Sequence, residues 1–211
     1  MKSLRPERTV FREGKRIYLR PPFTDDVHNL VKWFNDYRIT RFLSCRLPVS
    51  EAEERVWVDG LHNNLDQLIS FIIVLKGGKP VSDRPIGTIQ LHQIDRESGT
   101  ALKGVAIGES EYWNHGYGTE ANMLLLEFAF NTLNLRKVYS HVLSTNEGNL
   151  ACNTKCGFVH EATLSRHHFR EGEYVDELIF AVYADTWRGL WQKTRSSFIS
   201  VVSRKNKGGS S

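Results

Sequence analysis

Val105-Ala106-Ile107-Gly108-Glu109-Ser110-Glu111-Tyr112-Trp113-Asn114-His115-Gly116-Tyr117-Gly118-Thr119-Glu120-Ala121 reads as the end of a strand, a glycine-containing loop and the start of a helix. Gly116 and Gly118 bracket Tyr117 where the helix begins, so several backbone N–H groups there have no partner and point out of the helix end. Such an end attracts phosphate, because free donors and the helix dipole both favour negative charge. Glycine lets the backbone approach an anion closely. A Gly-x-Gly pair alone also marks many plain turns. A dinucleotide-binding βαβ reading needs a third glycine, but position 121 is Ala, and the strands upstream do not alternate with helices.

Working outward, Ile86–Ile94 and Thr100–Ile107 predict two strands of an antiparallel meander around an Asp95–Gly99 turn, and Ile69–Leu75 is an apolar run typical of a buried strand. Ile17–Arg20 is a short strand ended by Pro21-Pro22. Thr24 can cap a helix in which Val27, Leu30, Val31 and Phe34 form one stripe. Ser50-Glu51-Ala52-Glu53 is a capping box for a second helix to about Asn63, and Lys76–Pro85 is a loop. Behind the glycines, Ala121, Leu124, Leu125 and Phe128 share a helix face. Arg136–Leu143 predicts a strand, Glu147–Cys156 a short helix stopped at Gly157, Phe158–Leu164 and Tyr174–Tyr183 two more strands, and a Trp-rich helix follows. The fold class is α/β of the mixed α+β kind, one domain with a central mixed, mostly antiparallel sheet flanked by helices.

At 211 residues, 40% hydrophobic and 25% charged, the chain has the composition of one sizeable globular domain. The net charge of +4 is segregated: residues 1–20 carry +5, residues 188–211 carry +6 and the body between carries −7. We take 1–13 as a basic tail, 14–188 as the domain, and 189–211 as a helix end with a basic flexible tail. No aromatic-interleaved basic motif lies inside the domain, so nucleic acid is not an expected partner. No apolar run has membrane-spanning length and no apolar stretch follows the charged N-terminus, which makes the cytoplasm the default compartment. Cys45, Cys152 and Cys156 are too few for a disulfide framework, and Cys152 with Cys156 is only half a zinc set. His167 and His168 would point to opposite faces of a strand, so no metal is expected.

A second segment, Asn146-Glu147-Gly148-Asn149-Leu150-Ala151-Cys152-Asn153-Thr154-Lys155-Cys156-Gly157-Phe158, begins at a strand end and closes on Gly-Phe. Together with Tyr112 to Ala121, it resembles the GNAT superfamily of acyl-CoA-dependent N-acetyltransferases. Within that superfamily the chain is most similar to the Rim-type N-terminal acetyltransferases of ribosomal proteins, through Tyr18-Leu19-Arg20 after Gly14-Lys15, Trp33-Phe34-Asn35-Asp36, and Gly172-Glu173-Tyr174-Val175-Asp176. The resemblance spans about residues 14–188. It departs at Asn149, where Ser is frequent, at Asn153, where many members have the Tyr that protonates the leaving thiolate, and near Leu102 or Lys103, where a carboxylate is often found.

The resemblance implies acetyl-CoA as acyl-donor co-substrate, without a metal, and direct attack by a primary amine in a ternary complex. The implied cofactor-binding residues are Asn114, His115, Gly116, Tyr117, Gly118 and Thr119 for the pyrophosphate, Val105 and Ile107 for the pantetheine arm and thioester oxygen, and Asn146 and Lys155 from the second motif. A fixed donor at the developing oxyanion is worth ~3 kcal/mol. An α-amine, pKa ~8, is partly neutral at pH 7 where a lysine, pKa ~10.4, is not, so a weak base or water relay can serve. Catalytic candidates are Asn149, His141 and Glu111, with His92 as a further titratable strand residue. Trp33, Asn35 and Asp36 are the substrate-side candidates, against core packing for Trp33 and Phe34 and a solvated surface charge for Asp36. Alternative functions are acetylation of an aminosugar, aminoglycoside or polyamine, and a CoA-binding module without turnover. A homodimer is compatible with all three, and none needs a membrane.

Overall fold

The computed structural model describes residues 10–43, 46–77 and 83–199. Eight strands form one sheet in the order β1-β2-β3-β4-β5-β6-β8-β7. They are β1 (Arg12–Glu13), β2 (Ile17–Arg20), β3 (Leu68–Leu75), β4 (Arg84–Asp95), β5 (Thr100–Ile107), β6 (Lys137–Leu143), β7 (Val159–Arg170) and β8 (Glu173–Tyr183). Every neighbouring pair is antiparallel except β5 with β6. The helices are α1 (Val27–Phe34), α2 (Tyr37–Thr40), α3 (Glu51–Gly60), α4 (Tyr117–Asn131), α5 (Glu147–Lys155) and α6 (Ala184–Phe198). None of the described helices is long and apolar enough to cross a membrane.

The periodicities place the elements as expected, and the caps show why. Ser50 accepts the Glu53 N–H while the Glu53 carboxylate accepts the Ser50 N–H, the reciprocal box that starts α3. The meander turns at residues 96–99. Because strand side chains alternate, Ile89, Leu91, Ala101, Val105, Val138 and Val182 face α4 and form the main core with Leu125, Met123 and Trp187. The opposite face packs Tyr18, Ile72 and Val74 under α1 and α3, against Leu30 and Trp33.

One strand runs further than its sequence pattern suggests. β7 continues past Leu164 to Arg170, because its register with β8 jumps between Leu164 and His168 and pairing then resumes. The periodicity breaks at that jump, so the second half does not read as strand. α6 continues past residue 188 to Phe198: Trp191 stacks on Trp187 in the core, and the Lys15 N–H donates to the Phe198 carbonyl at 2.7 Å. Cys45, residues 1–9 of the basic N-terminal tail, residues 200–211 of the C-terminal tail and residues 78–82 of the Lys76–Pro85 loop lie outside the described residues.

Candidate functional site

β5 and β6 pair only from Thr100 to Leu102 with Lys137 to Tyr139. Beyond that they separate, while each keeps its register with its other neighbour. Two bonds fix the phase of those outer ladders: Gly108 N–H to the Ile86 carbonyl at 2.8 Å and Ser144 N–H to the Asp176 carbonyl at 3.0 Å. Bonded and non-bonded residues alternate along an antiparallel pair. The main-chain polar groups of Val105 and Ile107 on one strand, and of His141 and Leu143 on the other, therefore point into the gap. Trp113 Nε1 donates to the Ile107 carbonyl at 2.7 Å, and the Asn146 N–H donates to the Leu143 carbonyl at 2.9 Å. Among the described residues, Val105 and His141 are each left with a donor and an acceptor, and Ile107 and Leu143 each with a donor, facing a wedge that an extended, amide-bearing chain can fill.

The start of α4 opens beside the same wedge. Gly116, at φ +81°, is its N-cap and offers no side chain, and Asn114 is also left-handed at φ +62°. The first intrahelical bond is Glu120 N–H to the Gly116 carbonyl at 3.0 Å. Among the described residues, none accepts from the N–H groups of Tyr117, Gly118 or Thr119. Arg16 adds a positive charge here. Its Nε meets Glu120 Oε2 at 2.8 Å, its Nη1 donates to the His115 carbonyl at 2.8 Å, and its guanidinium lies 4.6 Å from the Tyr117 ring centre. Glu120, almost fully buried, also accepts the Arg16 N–H at 2.8 Å and so ties β2 to the anion-binding end of α4.

α5 forms the other wall. Asn146 caps it by accepting the Asn149 N–H at 3.1 Å, so its side chain shapes the helix, and Lys155 is exposed at the last turn. Among the described residues, Asn149 Oδ1 and Asn122 Oδ1 are buried with no partner. Between α4 and α5, Cys152 Sγ accepts from Asn122 Nδ2 at 3.3 Å and from Thr119 Oγ1 at 3.6 Å. Hydrogen bonding to the Cys156 thiol, with help from the Lys103 ammonium, Thr119 and Asn122, outweighs burial and brings the Cys152 thiol down to about 6; Cys156, its hydrogen-bond partner, is pushed up. Lys103 is buried, donates to Asn153 Oδ1 at 2.8 Å and lies over the Phe158 ring; loss of water pushes its pKa down. Asn153, with no exposed surface, is therefore a partner of Lys103 and not a group facing the wedge.

The three substrate-side candidates each have partners within the chain. Trp33 is buried at 1% exposure and donates from Nε1 to Glu109 Oε1 at 3.0 Å, so it is a core residue under the loop. Asn35 spends its amide on the Val31 and Val49 carbonyls and the Val49 N–H, pinning residue 49 to the end of α1. Asp36 caps α2 and pairs with Arg38, whose hydrogen bond holds its carboxyl below the ordinary range. Glu111 is likewise exposed and paired to Arg84 at 3.0 Å, on the surface of the loop. The carboxylate that organises this loop is Glu109. Burial would raise its pKa, but Lys32 at 2.7 Å, Trp33 and Arg84 hold it below the ordinary carboxylate range.

The chemistry on the other face of the sheet comes from strands. His92, Leu102 and Tyr139 stand in one row across β4, β5 and β6, and His141 follows two residues along. Burial, then the neighbouring His141, push the pKa of His92 down. His141 Nδ1 lies 3.3 Å from Glu177 Oε1 on β8. His168 Nε2 is 3.2 Å from the same oxygen, and His167 Nε2 is 4.0 Å from Glu177 Oε2. The two adjacent histidines thus reach one carboxylate, contrary to the simple alternation of a strand. Arg166 is left-handed at φ +51° and its N–H donates to Asp176 Oδ1 at 2.7 Å, so Ser165–His167 stand opposite one residue of β8 and the alternation is reset. A small pocket here is lined by Phe42, Leu43, His141, His168, Arg170 and Glu177. Glu177 gave no sequence signal beyond its place in a strand.

Comparison with known proteins agrees with this fold. The family model described as the Acetyltransferase (GNAT) domain matches residues 16–159. The chain is similar to the probable N-acetyltransferase YjcK of Bacillus subtilis (strain 168), 31% identical over 186 residues that cover 81% of this chain and 95% of that one. A crystal structure of spermidine N-acetyltransferase from Vibrio cholerae in complex with CoA and spermine superposes with a TM-score of 0.73 at 22% identity, covering 82% of this chain and 98% of the other. Mycobacterium smegmatis RimJ in complex with CoA-disulfide gives a TM-score of 0.72 at 17% identity, covering 87% and 90%.

Proposed function

The chain belongs to the GNAT acetyltransferase family, and from that premise we propose that this N-acetyltransferase transfers acetyl from acetyl-CoA to a monocationic primary amine, in the first place a protein N-terminal α-amine of the Rim type. The observation that carries the cofactor half is the wedge between β5 and β6, with unpaired main-chain groups at Val105 and Ile107 and free N–H groups at the start of α4. Tyr117, Gly118, Thr119 and Arg16 would hold the pyrophosphate, and Val105 with Ile107 the pantetheine arm. Asn149, with an unpartnered buried amide oxygen, fits the wall of that channel.

Bound acetyl-CoA supplies the thioester carbon that the amine attacks, the C–S bond breaking as the C–N bond forms. A main-chain N–H on the open edge of β5 would face the thioester oxygen, where charge develops. His141 takes the amine proton, directly or through water, with Nδ1 oriented by Glu177 and Nε2 as the accepting nitrogen. Asn149 donates a hydrogen bond to the departing sulfur, directly or through a water; an amide cannot titrate, so the sulfur leaves as a thiolate and takes up the proton that His141 accepted, relayed through solvent.

The acceptor preference is supported by the charges on the His141 face. Among the described residues, Glu177 is the one carboxylate lining the pocket there, and Arg170 lines the same pocket. A polyamine, with several ammonium groups, needs more negative charge than this. The test is thiol release from acetyl-CoA with peptides bearing a free N-terminus, Nα-blocked lysine peptides, and spermidine. At pH 7 about 10% of an α-amine is neutral against ~0.04% of a lysine, so a preference of about 100-fold or more for the α-amine is expected. A His141→Ala variant should lose most turnover while keeping its affinity for acetyl-CoA. Turnover confined to spermidine would overturn the acceptor assignment, and binding without turnover on any amine would leave a CoA-binding module.

A further inference from the structure

Three imidazoles converge on Glu177, and the described mechanism uses only one of them. From this arrangement we propose that His167, His168 and Glu177 form a site for a divalent transition metal, with zinc the best fit to the donor set, at the rim of the His141 face. Metal–ligand distances for zinc of ~2.0–2.2 Å and a tetrahedral angle put ligand atoms on one ion about 3.4 Å apart. His168 Nε2 and Glu177 Oε1 are 3.2 Å apart, His167 Nε2 and Glu177 Oε2 are 4.0 Å apart, and the three ligand atoms lie within 4.8 Å of one another. His167 is half-exposed, so its ring has room to turn toward the other two ligand atoms.

The bulge makes the site. Without the left-handed Arg166, held by its N–H bond to Asp176, His167 would face away from Glu177. The rings of His167 and His168 instead stand edge to face at 4.8 Å, both directed to one carboxylate. A pocket of about 20 Å³, the size of a single ion or water, adjoins Glu177 and His168 on the side of His141, and His167 stands outside its lining. Two nitrogens and a carboxylate oxygen are borderline donors that suit zinc, with water or His141 able to supply the fourth ligand. Arg170 shares the pocket and opposes a cation, which favours reversible occupancy over permanent binding.

The binding claim is independent of acetyl transfer. Its consequence rests on the function proposed above: a metal on Glu177 withdraws the carboxylate from His141, so zinc should inhibit turnover. The experiment uses the full chain and cobalt(II) chloride or zinc chloride alone. One equivalent should bind by calorimetry, and cobalt should give visible d–d bands without the near-ultraviolet thiolate charge-transfer band. His167→Ala, at a half-exposed position outside the reacting groups, should bind at least about tenfold more weakly with an unchanged melting curve, keep basal turnover and lose zinc inhibition. His167→Ala/His168→Ala should abolish the bands. Absence of d–d bands, their survival in the double variant, or a thiolate band placing the ion on Cys152 and Cys156 would overturn the site. Binding as described with no effect of zinc on turnover would uphold the site and overturn the role of His141 with Glu177.

Discussion

Replacing Gly116 separates the electrical contribution of the α4 end from its shape. Gly116 sits at φ +81°, and a side chain added there meets Arg16 Nη2 at 3.4 Å, ordinary contact, so the space exists and the strain is in the backbone. A left-handed non-glycine residue costs roughly 1 kcal/mol, less for Asn and Asp, which amounts to a loss of about 2–4 °C in melting temperature for a domain of this size. Gly116→Asn and Gly116→Asp share that cost and nearly the same shape. They differ by one negative charge among the free N–H groups of Tyr117, Gly118 and Thr119, and that charge also competes for Arg16. A charge at a partly buried helix end is worth up to ~2 kcal/mol, so the Asp variant should bind acetyl-CoA about 30-fold more weakly than the Asn variant. Calorimetric titration at low and high salt reads this directly, and the gap should narrow as salt rises. Equal affinities for the two variants, with both folded, would refute the assignment of this helix end to the diphosphate.

Other substitutions probe the supports of the site. Gly108→Ala places a methyl carbon 2.2 Å from the Trp33 ring, so it should cost about 3 kcal/mol or more, seen as a large fall in melting temperature. Lys103→Met removes a buried cation whose main partner is a neutral amide; stability should hold or rise, while iodoacetamide should alkylate Cys152 more slowly at pH 7, because losing the ammonium raises the thiol pKa. Faster alkylation would show that the ammonium does not stabilise the thiolate. Glu109 has its folded-state pKa lowered, so its contribution to stability is complete above the unfolded carboxylate value of ~4.3 and is lost as the pH falls through the folded value. Melting temperature should therefore drop between about pH 5 and pH 3 more steeply in the native chain than in Glu109→Gln; parallel curves would remove Glu109 as the anchor of the loop.

Much of the fold was legible because it rests on local patterns. The capping box at Ser50, the Val27–Phe34 stripe and the apolar strands each declare themselves within a dozen residues, and the glycines at 116 and 118 mark the helix end that the structure leaves open. What was not legible depends on partners far away in the chain. The partners of Trp33 and Asp36, Glu109 and Arg38, leave no mark in the local pattern around them. Arg16, counted among the charges of a basic N-terminus, reaches α4 across 104 positions to pair with Glu120. The convergence on Glu177 was hidden because strand alternation predicts that His167 and His168 diverge, and only the register jump at Arg166 reverses this. Side-chain roles fixed by one long-range hydrogen bond leave no periodic trace.

Amide-resolved NMR of the full chain, recorded as acetyl-CoA is added, bears most directly on where the coenzyme sits. The N–H signals of Tyr117, Gly118 and Thr119 should shift together with those of Val105, Ile107, His141 and Leu143, while those of Ala106 and Val142, bonded to neighbouring strands, should move little. Saturable binding that leaves the first group unmoved and perturbs a different surface would contradict the account.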